Sequence, residues 1–185
     1  MSASIERQAK GRRCLVMGLG AFGGGLGVTR ALAKAGAAEV LVTDLSAPDR
    51  LQAPLQELEP LVRAGRVRLR LGGHDVQDFE RAELVVANPA VPKPWDNTYL
   101  AAARAAGARI TTEMRLALES LPANRVIAIT GTAGKSTTSA MIAHLLDDNP
   151  GRALLAGNIG GSLLERAPTL GANDWLVLEL SSFML

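Results

Sequence analysis

Residues 14–23 read Cys14-Leu15-Val16-Met17-Gly18-Leu19-Gly20-Ala21-Phe22-Gly23, an apolar run that breaks into GxGxxG. The next stretch is helical in pattern: Val28, Ala31, Leu32 and Ala35 recur at i, i+3, i+4 and i+7, and Gly36 supplies a terminator. A glycine loop between a strand and a helix permits a tight turn and close backbone approach, and the first N–H groups of the helix lack partners of their own. The loop, with Ala21 and Phe22 inside it, is therefore expected to receive a diphosphate. Asp44 ends the next strand, 24 residues after Gly20, where a dinucleotide-type site sets a carboxylate on a ribose. The alternative is a glycine-rich turn that serves packing alone.

Outward from this unit, short apolar runs alternate with helical patterns along the whole chain, the signature of βαβ units and a parallel sheet. Strands are predicted over Cys14–Met17, Val40–Thr43, Val67–Leu71, Leu84–Ala87 and Arg109–Thr111, then Val126–Ile129, Ala153–Ala156 and Trp175–Leu180. A helix is predicted over Thr98–Ala106, ending at Gly107. The third strand, Arg66-Val67-Arg68-Leu69-Arg70-Leu71, alternates basic and apolar residues, as suits an edge with one wet face; a phosphate-binding stripe is the alternative. A break is predicted near 119–124, giving one unit over 1–121 and a second over 122–185.

The second unit carries the other glycine loop. Gly131-Thr132-Ala133-Gly134-Lys135-Ser136-Thr137 follows Val126-Ile127-Ala128-Ile129 and precedes a helix with the apolar pairs Met141/Leu145 and Ile142/Leu146. Backbone N–H groups of such a loop wrap phosphates, the lysine neutralises β/γ oxygens, and the serine hydroxyl can ligate Mg²⁺. The loop is shorter than the common pattern, because Ile129 stands where a further glycine is expected. A dinucleotide oxidoreductase would use the first loop and leave Lys135-Ser136 unexplained; two loops call for two phosphate-bearing ligands.

Composition narrows the classes. The chain has 185 residues, 48% hydrophobic and 21% charged, with one cysteine, which is globular and neither disordered nor a disulfide scaffold. A formal net charge of +2 argues against nucleic acid as a partner, and no apolar stretch nears the ~20 residues that span a bilayer. Cys14 reads as a core residue and, unpaired, suits a reducing cytoplasm. The segment before Arg12 lacks a signal peptide's apolar core. His74 reads as a loop residue and His144 as a helix-face residue.

The compact GTxGKST loop resembles that of the Mur ligases. Val16-Met17-Gly18-Leu19-Gly20, Val42-Thr43-Asp44, Leu84 to Pro92, Gly157-Asn158-Ile159-Gly160 and Leu178-Glu179-Leu180-Ser181-Ser182-Phe183 follow in the family's order. Within the family the motifs resemble those of the members that join D-glutamate to UDP-N-acetylmuramoyl-L-alanine. The resemblance implies an α/β architecture: a Rossmann-like parallel-sheet domain that holds the UDP of the substrate, followed by the first part of a P-loop ATPase domain. It implies an ATP-dependent amide-bond ligation through an acyl phosphate, in the synthesis of peptidoglycan precursors, with Mg²⁺ as cofactor.

By the same resemblance, Lys135, Glu179 and Asn158 are the catalytic candidates, and residues 131–137 hold ATP. Ser136 and Glu179 take the metal. Gly20, Ala21, Phe22, Asp44, Leu45, Asn88, Pro89 and Ala90 face the uridine diphosphate, while Asn158 and Ser181 face the muramoyl-alanine end. A turn role for Asn158 and a helix-capping role for Ser181 are the alternatives. The chain departs from the family at Leu45, Ala90, Ala133 and Met184, which motivates a second reading as a non-catalytic nucleotide-binding module; a ligase for another amino acid is a third. The expected partners are small molecules, with no nucleic acid and no membrane, and the chain is expected to be a monomer. The last predicted strand stops where an α/β domain usually continues into a helix, so a fragment inactive alone is expected. Val177 and Leu180 are then expected to lose their cover.

Overall fold

A computed structural model describes residues 2–20, 24–121, 125–147, 151–159, 162–166 and 169–181. The first part of the chain runs α1 (Ser2–Ala9), β1 (Arg13–Met17), α2 (Gly24–Lys34), β2 (Glu39–Asp44), a 3-10 turn at Pro48–Arg50, α3 (Gln52–Arg63) and β3 (Val67–Leu71). It continues with α4 (Val76–Arg81), β4 (Leu84–Ala87), α5 (Thr98–Ala105), β5 (Arg109–Thr111) and α6 (Glu113–Leu118). The five strands form one parallel sheet in the order β3-β2-β1-β4-β5. Strand order therefore reverses between β1 and β4, which opens a crevice at their C-terminal ends.

The central strands are buried on both faces, as an all-parallel sheet requires. Cys14 and Val16 of β1 and Leu84 and Val86 of β4 pack with Leu26, Val28 and Leu32 of α2. Leu15, Met17, Val85 and Ala87, one residue out of phase, pack with Phe79 of α4 and Leu100 and Ala103 of α5. Helix starts are fixed by short polar side chains: Asn97 Oδ1 accepts from Tyr99 and Leu100 N, Asp75 from Gln77 N and Thr112 from Arg115 N. At the edge, the Arg68 and Arg70 side chains are exposed and pair with Glu39 and Asp78. The stripe is thus a solvated edge.

The second part comprises β6 (Val126–Ile129), α7 (Lys135–Asp147), β7 (Ala153–Gly157), α8 (Leu163–Arg166) and β8 (Trp175–Glu179). These strands form a parallel three-stranded sheet in the order β6-β8-β7. Leu176 and Leu178 of β8 and Leu163 and Leu164 of α8 join the same apolar cluster as α2 and Leu116 and Ala117 of α6. The cluster therefore runs from one sheet to the other.

Three features go beyond the sequence-based expectations or against them. Residues 2–9 form a helix that periodicity in the sequence does not reveal; Ile5 and Ala9 are buried, and the helix packs on α2. Of the two apolar pairs of α7, Ile142 and Leu146 are half-buried, whereas Met141 and Leu145 are 61% and 68% exposed, so only the first pair faces inward. Val177, expected to lose its cover, is fully buried, since α7 packs on β7 and β8, and Leu180 is half-buried.

Candidate functional site

The crevice between β1 and β4 is built from backbone geometry. Gly18 and Gly20 have φ of +92° and +66°, a region that L side chains rarely adopt. Gly18 also has no room for a side chain, because a Cβ there would lie 2.9 Å from Asn88 Cβ. Asn88 is anchored in turn: Nδ2 reaches Gly18 O at 3.5 Å, and Oδ1 accepts from Ala90 N at 2.9 Å. Pro89 is half-buried and Ala90 exposed. Ala21 and Phe22 lie outside the described residues.

Asp44 stands at the end of β2, facing the loop. Its carboxylate is already engaged: Oδ2 accepts from Leu19 N at 2.8 Å and Gly20 N at 3.2 Å, and Oδ1 from Ser46 N at 2.8 Å. Burial works to raise its pKa, but the N–H donors of Ser46, Gly20 and Leu19 outweigh it and hold the carboxyl below the usual carboxylate range. Asp44 thus organises the glycine loop. Next in the chain, Leu45 is 68% exposed.

Nearby, His74 Nδ1 lies 2.7 Å from Thr43 Oγ1, and its ring meets Phe79 and Tyr99 edge-on. Burial pulls its pKa down, against the field of Asp44. His144 is exposed on α7, and no group of three His, Cys, Asp or Glu that could hold a metal occurs among the described residues. Cys14 is buried, and desolvation pushes its thiol up to about 12, so it is an inert core residue.

The second loop joins β6 to α7. Gly131 and Gly134 have φ of +151° and +76°, and Lys135 is the first residue of α7. Gly131, Thr132, Ala133 and Gly134 are exposed, as are Ser136 and Thr137 in the first turn of the helix. The Lys135 ammonium folds back over the loop, donating to Gly131 O at 2.8 Å and Thr132 O at 3.5 Å.

Glu179 closes the site from the middle strand. In register it sits between Ile129, which precedes the loop, and Gly157, which precedes Asn158. Asn158 Nδ2 donates to Glu179 Oε1 at 3.2 Å, and Asn158 N donates to Glu179 O at 2.8 Å. Gly157, with φ of +106°, has no space for a Cβ against the Glu179 backbone. Glu179 is 2% exposed, yet its Oε2 has no hydrogen-bond partner among the described residues. A buried carboxylate oxygen left unsatisfied beside a Gly-Lys-Ser loop fits a hard cation. Ser181 stands two residues beyond, half-buried.

Glu113, absent from the sequence-based candidates, lines the same small cavity as Gly18, Gly24, Asn88 and Pro89. Its signal in the sequence was its place alone, directly after the last strand of the first sheet. A larger concavity, lined by Arg13, Glu39, Arg68, Arg70, Asp78 and Arg81 among others, runs along α4 over the first halves of β1 and β2, away from the glycine loop. Its arginines at 13, 68 and 70 are paired with carboxylates, and ligands of open parallel sheets bind at the C-terminal ends.

Fold and site define the chain as a parallel α/β protein with a Rossmann-order sheet and a second parallel sheet, each with a glycine loop between strand and helix. No protein-family model matches it. The UDP-N-acetylmuramoylalanine--D-glutamate ligase of Roseiflexus sp. (strain RS-1) is 47% identical over 178 residues, covering 96% of this chain and 36% of that protein. Those of Borreliella afzelii (strain PKo) and Geobacter metallireducens are each 39% identical, over 96% of this chain and 37% of theirs. Among solved structures, a pseudomurein peptide ligase type C from Methanothermus fervidus matches with a TM-score of 0.47 and 21% identity, over 92% of this chain and 33% of that chain. Over 96% of its length the chain is similar to proteins named UDP-N-acetylmuramoylalanine--D-glutamate ligase, and it spans about a third of the length of the curated relatives it matches.

Proposed function

We propose that this chain supplies the UDP-substrate side and the first part of the ATP side of a ligase that joins D-glutamate to UDP-N-acetylmuramoyl-L-alanine, a step of peptidoglycan precursor synthesis. Residues 1–121 then form the UDP-binding domain and 122–185 the beginning of the ATPase domain, in a cytoplasmic protein; no helix among the described residues is long and apolar enough to cross a membrane. The observation that carries the reading is the buried Glu179 Oε2, unpartnered beside the Lys135 loop.

On this reading the diphosphate enters the crevice at Gly18, Gly20 and Asn88, where glycine lets it approach the backbone. Asp44 holds the loop open by bonding two of its amides. ATP lies on residues 131–137, and Lys135 exchanges its bonds to Gly131 O and Thr132 O for phosphate oxygens. Glu179 and Ser136 would hold Mg²⁺, which supplies charge neutralisation when a carboxylate attacks a phosphoryl group. Asn158, bonded to Glu179, keeps that carboxylate oriented toward the loop. The acceptor carboxylate and the γ-phosphate are both anionic, so the cationic groups are needed to bring them together.

The experiment is a chimera in which residues 1–185 replace the matching third of the Roseiflexus ligase. D-glutamate-dependent ADP release with UDP-N-acetylmuramoyl-L-alanine as acceptor is the expected result. A folded chimera that binds both nucleotides and releases no ADP would favour the non-catalytic module, whose motivation is Leu45, Ala90 and Ala133.

A further inference from the structure

Glu113 opens α6 just past the end of β5, and its carboxylate is held between helices of the two sheets. Oε1 accepts from Ser162 Oγ at 2.6 Å, and the backbone N–H groups of Leu163 and Leu164, at the start of α8, bond to the same carboxylate. Oε2 stands 3.0 Å from where a Cβ on Gly24 would lie, at the first residue of α2. One turn along α2, Gly27 has no room for a Cβ, because Ser162 Oγ and Cβ fill that space. One carboxylate thus meets the opening of α2 and the start of α8.

These two ends belong to different parts of the site. The opening of α2 lines the crevice of Gly18 and Asn88. Ser162 follows Asn158 by four residues, and Asn158 bonds Glu179. A carboxylate near a diphosphate is repelled by it, so Glu113 is no phosphate ligand. Burial raises its pKa, opposed by the Ser162 hydroxyl and the two N–H groups, and the field of Glu165 adds to the rise. Such a group persists where its hydrogen bonds fix geometry.

We propose that Glu113 is a positioning residue: it fixes the Asn158 segment relative to the diphosphate crevice, and so favours the muramoyl-alanine end of the substrate over UDP alone. The proposal rests on the reading of the crevice as the UDP site.

The test is calorimetric titration of the chain with UDP and with UDP-N-acetylmuramoyl-L-alanine, for the wild type, Glu113→Ala and Glu113→Gln. The wild type is expected to bind the muramoyl compound more tightly. Glu113→Ala should lose about tenfold of that preference, read as the ratio of the two affinities, the worth of a hydrogen bond to a charged group. Glu113→Gln should keep most of it, since its amide oxygen still accepts from Ser162. Two results overturn the proposal and leave the crevice reading intact: a wild-type preference retained in Glu113→Ala, or a wild type that does not distinguish the two ligands. Parallel losses of both ligands in Glu113→Ala, unrelieved in Glu113→Gln, overturn it by making Glu113 a support of the fold. A wild type that binds neither ligand removes the crevice reading and the proposal with it.

Discussion

Asn158 reaches across 21 residues of sequence to Glu179, donating from Nδ2 to Oε1 at 3.2 Å and leaving Oε2 buried and without a partner among the described residues. A group in that condition costs free energy in the unliganded protein, and a cation repays it. Glu179→Gln should therefore weaken Mg·ATP binding by at least about tenfold, with ATP in excess chelator little changed. It should also raise the melting temperature of the chain without ligand, because a neutral amide replaces a charge. Calorimetry with and without Mg²⁺, and thermal melts, check both.

Lys135 makes its two bonds to carbonyls of its own exposed loop. Lys135→Ala should thus cost less than about 1 kcal/mol in urea unfolding, while nucleotide affinity falls on the order of tenfold or more. Equal loss of fold and binding would contradict the assignment.

Gly27→Ala tests the contact between α2 and α8. Alanine favours a helix by about 1 kcal/mol over glycine, yet a Cβ there collides with Ser162, and overpacking costs roughly 1–3 kcal/mol. Net destabilisation is expected, and Ser162→Gly should relieve it in the double variant. A simple additive pair would show that the helices separate without cost.

His74 gives the stability a pH dependence. Its folded pKa lies below the ordinary 6.5, so the unfolded chain takes up the proton first. The stability that neutral His74 contributes is present above 6.5 and lost as pH falls toward the folded value. Glu113, whose pKa is raised, acts in the opposite sense: its contribution is full below 4.5 and lost as pH rises through its folded value. The informative quantity is therefore the difference between wild type and His74→Gln in urea midpoints at pH 7.5 and 5.5, and the wild type should lose more on acidification.

Much of the fold was legible because parallel strands are short apolar runs, and a glycine loop marks each strand-to-helix junction. All eight predicted strands form, within one residue at each end. Gly18, Asn88, Lys135, Asn158 and Glu179 stand out as candidates from motif context, although their geometry does not. The features that escaped depend on contacts distant in sequence. Asp44 lies near the loop by spacing, but only the folded chain shows both its oxygens committed to backbone amides. Glu113 and Ser162 are 49 residues apart, and no local pattern links them. Periodicity gives α7 two apolar pairs without saying which side the sheet takes: Ile142 and Leu146 are half-buried, and Met141 and Leu145 lie outward.

The most direct test of the central claim is calorimetric titration of this chain with UDP-N-acetylmuramoyl-L-alanine, with NAD titrated in parallel. Saturable binding of the UDP compound and none of NAD is the expected result. Binding of NAD alone would contradict the account and turn the first crevice into the site of an oxidoreductase.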